Sequence, residues 1–166
     1  PDVFERFFGA FDREPTDYYE LEHLDPHYKI FFKDGDEVEI PKEPALAADI
    51  FEEYEENGAE KLRSYLDSSE RNYELATENF IYEDRSRLRN WLDPSVLRAI
   101  PLGLQLVGSM EGYVHNRFES DKLRQILQYT LVFLGGSPKN TPALYNLMSH
   151  VDFNLGVYYP EGGMKG

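Results

Sequence analysis

Apolar side chains alternate with polar ones between residues 19 and 40, then switch to helical spacing from Ala45 onward. That single change of period restricts the chain to a small sheet followed by a largely helical body. Tyr19 and Leu21 alternate with Glu20 and Glu22, as in a half-buried strand, and Pro26 ends the run. Tyr28, Ile30 and Phe32 share one face of a second strand. Asp34-Gly35 is a tight-turn signal, Val38 and Ile40 supply the returning strand, and Pro41 and Pro44 close the region. The pattern predicts a hairpin from Lys29 to Ile40, with Tyr18 to Leu24 beside it in one small antiparallel sheet.

Helices flank that sheet. Phe4, Phe7, Phe8 and Phe11, thickened by Val3, form one apolar stripe that is expected to face the core. The neighbouring acids Asp2, Glu5 and Asp12 have the wrong charge for insertion into a membrane surface. After Ala45, a stripe of Leu46, Ile50, Phe51 and Tyr54 leaves Asp49, Glu52, Glu53, Glu55 and Glu56 facing water, and Asn57-Gly58 stops the helix. Leu62, Tyr65, Leu66, Tyr73, Ala76 and Phe80 predict a longer helix reaching about Tyr82. Arg85, Arg87 and Arg89 are expected to pair with Glu83, Asp84 and Asp93. Asp93-Pro94 reads as a helix start. The apolar stretch from Ile100 to Tyr113 is interrupted by Pro101, Gly103, Gly108 and Gly112, each Gly costing a helix about 1 kcal/mol. A kinked packing helix and a surface for close approach by backbone or a bulky ligand fit that stretch equally.

Ser120-Asp121 predicts the cap of a helix from Lys122 to Leu134, with Leu123, Ile126, Leu127, Leu131 and Leu134 buried and Gly135-Gly136 at its end. Thr141-Pro142 repeats the cap signature, and Leu144, Leu147, Met148 and Val151 form a stripe reaching about Phe153. Gly156 breaks it, and Val157-Tyr158-Tyr159 signals a short strand. Neither an internal repeat nor a low-complexity linker divides the chain. The expected fold class is α+β, a small antiparallel sheet packed with a mainly helical bundle in one domain spanning 1–166.

The chain has 166 residues, enough for one domain with its own core. The 12 Tyr and 11 Phe fit a well-filled core, or in part the lining of a channel for a long apolar substrate. A net charge of −14 argues against nucleic acid and against electrostatic docking on anionic lipid. With no Cys, disulfides, thiolate catalysis and Cys-ligated metals are excluded. No apolar run reaches the ~18–20 residues of a membrane span. Pro1-Asp2-Val3-Phe4 already reads as helix, so no leader peptide is expected here and the start is expected to lie inside a longer protein.

Residue types that carry chemistry are sparse. Of His23, His27, His115 and His150, only the first two are near in sequence, with Asp25-Pro26 between them, and no H-E-x-x-H occurs; each is expected to be a surface or packing residue and no metal site is expected. Asp34-Gly35-Asp36 lacks the later positions of a calcium loop. No Ser sits in a G-x-S-x-G elbow. Neighbouring carboxylates carry little information in so acidic a chain. The residues by themselves point only to a pocket for an apolar ligand.

Longer motifs say more. Tyr18-Tyr19-Glu20-Leu21, then Leu24-Asp25-Pro26-His27-Tyr28-Lys29-Ile30-Phe31-Phe32 and Asp34-Gly35, occur first. Lys122-Leu123-Arg124-Gln125 leads to Gly135-Gly136-Ser137-Pro138, and Gly156-Val157-Tyr158-Tyr159-Pro160-Glu161-Gly162-Gly163 closes the set. In this order and spacing they resemble the bacterial- and archaeal-type phytoene desaturases, FAD-dependent enzymes of carotenoid biosynthesis. The resemblance implies the substrate-binding domain of a flavin amine-oxidase-like fold, inserted between the two halves of a flavin domain. It implies an oxidoreductase that desaturates phytoene, with FAD bound in the parent enzyme, a long apolar polyene as substrate, and a cytoplasmic location with peripheral membrane contact. Phe133, Tyr145, His150, Tyr158 and Tyr159 are the implied substrate-binding residues, and Gly162 and Gly163 the implied cofactor-side residues. No catalytic acid or base carries over, because the region from Arg89 to Arg98 does not align with the family. The chain has no G-x-G-x-x-G, so alone it is expected neither to hold FAD nor to turn over. A related carotenoid 3,4-desaturase or isomerase, and a free-standing module for an apolar ligand or partner protein, are the alternatives. An excised domain is further expected to expose an apolar patch around Tyr158, Tyr159 and the Gly135-Gly136 turn, beside both chain ends, and so to self-associate.

The 31 acids against 17 bases fit either a self-repelling soluble surface or adaptation to high salt, and acid-rich helix faces lean toward salt. Salt adaptation predicts that the melting temperature rises between about 0.1 M and molar salt, as the Debye length falls from ~10 Å to ~3 Å. A flat or falling melting temperature over that range leaves solubility as the role of the acids.

Overall fold

A computed structural model describes residues 2–77 and 108–163. The expected pairing of Arg85, Arg87 and Arg89, the Asp93-Pro94 helix start and the Pro101 and Gly103 interruptions lie outside the described residues. The helical elements are α1 (Asp2–Gly9), α2 (Pro44–Tyr54), α3 (Gly58–Ala76), α4 (Met110–His115), α5 (Asp121–Gln128) and α6 (Leu147–His150). The strands are β1 (Leu21–His23), β2 (Tyr28–Phe31), β3 (Glu37–Ile40) and β4 (Tyr158–Pro160). The α+β class expected from the change of period is the observed one.

The hairpin forms as the Asp34-Gly35 signal predicts. Tyr28 faces Ile40 and Phe31 faces Glu37, and Gly35 turns the chain at φ +89°. Val38 and Ile40 are buried, and Ile30 and Phe32 pack partly against the same core. The first strand departs from expectation. β1 does not join the hairpin; it pairs antiparallel with β4, Leu21 opposite Pro160 and His23 opposite Tyr158. Two further bonds lengthen this seam, Leu24 N–H to Val157 O at 2.9 Å and Glu161 N–H to Glu20 O at 2.9 Å. Local alternation identifies a strand without naming its partner, and here the partner comes from the far end of the chain.

The core lies between α2, α3, α5 and the hairpin. Phe51, Leu62, Tyr65, Phe118, Leu123, Ile126, Leu127, Leu131 and Phe153 are buried in it, with aromatic edges meeting at Phe51–Phe118 and Tyr65–Phe118. The α1 stripe does not reach this core. Phe4, Phe7 and Phe11 are 54–67% exposed, and the helix packs on the neighbouring turn instead, with Phe4 against Tyr19 and Phe8 against Tyr18. Amphipathic spacing gives a helix its apolar face, but not what covers that face.

In α2 the buried residues are Ala47, Ala48 and Phe51, and Leu46 is exposed. The small face lets α3 approach closely. Asn57 takes a left-handed φ of 58° between the two helices, and a Cβ on Gly58 would stand 2.1 Å from the Phe51 carbonyl oxygen. Two acids expected to face water have structural duties. Glu52 accepts the Asn57 and Ala59 N–H groups at 3.2 and 3.0 Å, and so caps the start of α3. Glu55, its side chain nearly buried, accepts the Glu119 and Ser120 N–H groups at 2.8 Å each and pairs with Lys61. Ser120 makes no side-chain cap on α5; the Glu55 carboxylate meets the Glu119 and Ser120 N–H groups just before that helix.

The helix expected from Lys122 to Leu134 is α only to Gln128, continues as a 3-10 segment from Tyr129 to Leu134, and ends at Gly135 with φ +63°. Leu134 is exposed, and Val132 and Phe133 with it. The stripe Leu144, Leu147, Met148, Val151 is only half-buried. The residues taken fully inside are Asn146, Ser149, His150, Asp152 and Phe153, along a 3-10, α and π sequence of turns from Ala143 to Leu155. That polar face can be buried because its groups find partners: Asn146 and Ser149 on α3, His150 at Asn154, and Asp152 at Tyr28 and Tyr129. Asn72 donates to Asn146 Oδ1 at 2.7 Å, the Ser69 hydroxyl donates to the Asn146 carbonyl, and Tyr65 and Ser149 hydroxyls lie 3.2 Å apart.

Intrinsic propensity favours Ala over Gly in a helix by about 1 kcal/mol. At position 58 the backbone clash reverses that sign, so Gly58→Ala is expected to destabilise the protein by roughly 1–3 kcal/mol. Urea denaturation measures it; unchanged or increased stability would show that α2 and α3 are not held this close.

Candidate functional site

Pairing of β1 with β4 brings α1 beside both strands and leaves a cleft of about 610 Å³ between them. Phe4, Tyr19, Leu21 and Tyr158 form its apolar wall, while Glu5, Arg13 and Glu14 stand among its polar lining. Tyr158 is half-buried, and its ring stacks on His23 with centres 4.5 Å apart. His23 in turn meets His27, Nε2 to Nε2, at 3.1 Å. Gly156, at φ +87°, lies against His23: a Cβ there would be 2.3 Å from Nε2. His27 is buried and its proton affinity lowered, first by burial and then by His23.

A second apolar groove, of about 890 Å³, runs over Tyr28, Ile30, Phe31, Phe32 and Tyr129, rimmed by Lys29, Lys33 and Lys122. Beneath it the Asp152 carboxylate accepts the Tyr28 hydroxyl at 2.6 Å and the Tyr129 hydroxyl at 3.0 Å. Burial raises the Asp152 pKa, and the two phenols oppose that shift. Burial, followed by the Asp152 charge, pushes the Tyr28 and Tyr129 phenols well above their ordinary range, so both stay protonated donors.

Of the residues the sequence analysis singles out, Tyr158, Tyr159, Gly162 and Gly163 come together on β4 and the turn after it. Tyr159 is 49% exposed opposite Glu22, and its hydroxyl would lie 3.4 Å from a Cβ on Gly163. Phe133, Tyr145 and His150 do not line the β1–β4 cleft. Phe133 is exposed, with its ring 6.1 Å from Tyr129 beside the second groove; Tyr145 is exposed on its 3-10 turn; His150 is buried, ring to ring with Tyr73 and bonded through Nδ1 to Asn154. Exposed apolar residues include Val3, Phe4, Phe7 and Tyr159 near the two ends in sequence and Val132, Phe133 and Leu134 before the Gly135 turn, and also Phe31, Leu46, Tyr145 and Leu155 on other elements.

Sequence reasoning missed the two polar clusters. Asp25-Pro26 rules out a shared helix face for His23 and His27, yet a strand and the loop after it converge as well. A lone acid within the apolar run Val151-Asp152-Phe153 was the available sign of a buried carboxylate. Among the described residues no group of three or more His, Cys, Asp or Glu could hold a metal ion, and no helix is long and apolar enough to cross a membrane.

Gly162 and Gly163 adopt φ of +76° and +82°, conformations that favour glycine, and Gly162 is exposed. The chain carries no glycine fingerprint with which to cradle a dinucleotide's phosphates.

Tyr28→Phe removes one of the two donors to a buried carboxylate and is expected to cost about 1.5–3 kcal/mol near neutral pH. The lost bond is to the ionised form, so the cost should shrink as pH falls and Asp152 takes up its proton. Denaturation of both proteins at neutral and acid pH checks this, and a cost independent of pH would rule out an ionised Asp152.

No protein-family model matches the chain. Over 164 residues, 99% of its length, it is 60% identical to a carotenoid 3,4-desaturase of Haloarcula japonica, covering 33% of that protein. It is 27% identical over 164 residues, again 99% of the chain, to a zeta-carotene-forming phytoene desaturase of Myxococcus xanthus, covering 32% of it. With a phytoene desaturase of Phycomyces blakesleeanus the identity is 27% over 170 residues, 99% of the chain and 28% of that protein. The chain spans about a third of the length of the relatives it matches. Along nearly its whole length the chain is similar to carotenoid desaturases, over a segment that makes up about a third of such a protein.

Proposed function

We propose that the chain is the substrate-facing part of an FAD-dependent carotenoid desaturase, and that the step performed is 3,4-desaturation of a carotenoid. One observation carries the choice of step: 60% identity along 99% of the chain to a carotenoid 3,4-desaturase, against 27% to phytoene desaturases. Phytoene desaturation, the step implied by the motifs alone, is the second reading. The Haloarcula relative also favours a high-salt organism as the source, in keeping with the −14 net charge.

A carotenoid offers almost no polar handle, so its recognition must come from apolar surface and shape. The wall of Phe4, Tyr19, Leu21 and Tyr158 supplies such a surface beside the Gly162-Gly163 turn. Dehydrogenation removes two hydrogens from adjacent carbons, one as hydride and one as proton; FAD, when bound, supplies the hydride acceptor. Phosphate contacts to the cofactor, together with the second wall of the substrate channel, fall to the parts of the parent protein beyond this segment. Stacking of Tyr158 on His23 holds its ring against the cleft, so the polyene meets a wall already in place.

The intact protein, produced in a host that accumulates carotenoids, tests the step directly. The expected product has lost two hydrogens at an end group of an already coloured carotenoid, read as a mass change with longer-wavelength absorption, and phytoene is not consumed. Consumption of phytoene would transfer the assignment to phytoene desaturation; no change in either pool would exclude a desaturase. Tyr158→Ala is expected to lower turnover by up to about tenfold, the effect of an aromatic contact of roughly 0.5–1.5 kcal/mol.

A further inference from the structure

His23 and His27 meet with their Nε2 atoms 3.1 Å apart and their ring centres 5.3 Å apart, the planes 25° from parallel. The ring-centre separation nearly equals the nitrogen separation plus the two ring radii. The nitrogens therefore point at each other along the line between the rings. Two facing lone pairs would repel and two facing N–H groups would clash, so one proton stands between them. Backbone bonds hold both residues in place: β1 is paired to β4 at His23–Tyr158, and the His27 N–H donates to the Ile40 carbonyl at 2.8 Å.

The surroundings limit the charge the pair can carry. β4 presents the Tyr158 ring on His23, and Gly156 presents only backbone. From the connecting loop comes Asp25, whose carboxylate also accepts the Lys42 N–H at 3.2 Å. The π turn adds no hydrogen bond to the buried His27 Nδ1, and its Asp152 carboxylate is committed to Tyr28 and Tyr129. His23 is exposed and His27 is buried. One positive charge can sit on the exposed ring beside Asp25 and make the shared bond charge-assisted. A second would put like charges in contact, one of them out of water.

We propose that His23 and His27 form a single proton-sharing unit that ties the β1–β4 seam to the β2–β3 hairpin beneath the cleft, accepts one added proton, and is forced open by a second. His27 agrees in sign. Its pKa is lowered in the fold, so the unfolded chain binds a proton that the folded chain refuses. Its contribution to stability is complete above the ordinary value of 6.5 and is lost as pH falls toward the lowered one. Opening of the pair frees the ring on which Tyr158 stacks.

The test is NMR of the intact protein labelled with 15N in its histidine rings, titrated from above pH 8 to acid, with exposed His115 as internal reference. The expected spectrum shows a scalar coupling between the two Nε2 nuclei across the hydrogen bond. It also shows the two rings responding together to one proton, with a second taken up only below the midpoint of His115 and accompanied by a shift of the Tyr158 ring signals. His23→Gln and His27→Gln should each move the midpoint of the remaining partner by about one pH unit, as coupled sites do. Absence of the coupling, or two independent midpoints unmoved by either substitution, would overturn the proposal. The coupling is measured on the unsubstituted protein, so the test survives a variant that fails to fold.

Discussion

The pairing of β1 with β4 is the contact on which the described site depends. It joins residues near one end of the chain to residues near the other, and closing so long a loop costs entropy that three residues of ladder hardly offset alone. The seam persists because its side chains also pack: Tyr158 on His23, His23 on His27, and Phe4 and Tyr19 across the cleft. Without the seam, α1 would have no strand edge to lie beside, and the Gly162-Gly163 turn would have no fixed position.

A second constraint comes from the polar face buried between Asn146 and Asp152. Burying these groups is tolerable only if every one is satisfied, which ties the last helical turns to α3 in one register through Asn72, Ser69 and Tyr65. An apolar stripe could slide by a turn at little cost; a ladder of matched donors and acceptors cannot. Asp152 extends the same logic to β2 and the 3-10 segment, because Tyr28 and Tyr129 both converge on it. The hairpin is thereby held by a carboxylate as well as by the Val38 and Ile40 faces.

Much of the fold was legible from local patterns. The hairpin follows from Asp34-Gly35 between two alternating runs, and the buried face of α5 from Leu123, Ile126 and Leu127. The failures share a cause. The Phe4–Phe11 stripe announced a helix correctly but not that its covering would be two tyrosines. Glu52 and Glu55 looked like solvent-facing acids until helix ends arrived beside them. In the site, Tyr158 and Tyr159 lie on β4 and the two glycines just after it. Phe133, Tyr145 and His150 went elsewhere, since nearness along a motif does not fix the side of the domain on which a ring emerges.

What the sequence by itself determined is what short-range chemistry decides: strand and helix periods, turns at glycine and proline, the absence of thiol chemistry, and the motif order shared with carotenoid desaturases. Only the tertiary structure decided partners: β4 for β1, His27 for His23, two phenols for Asp152, and α3 for a polar helical face. The physical reason is that period and turn are properties of neighbouring residues. A partner depends on loop closure and on the satisfaction of buried polar groups, and both are settled only when the whole chain is packed.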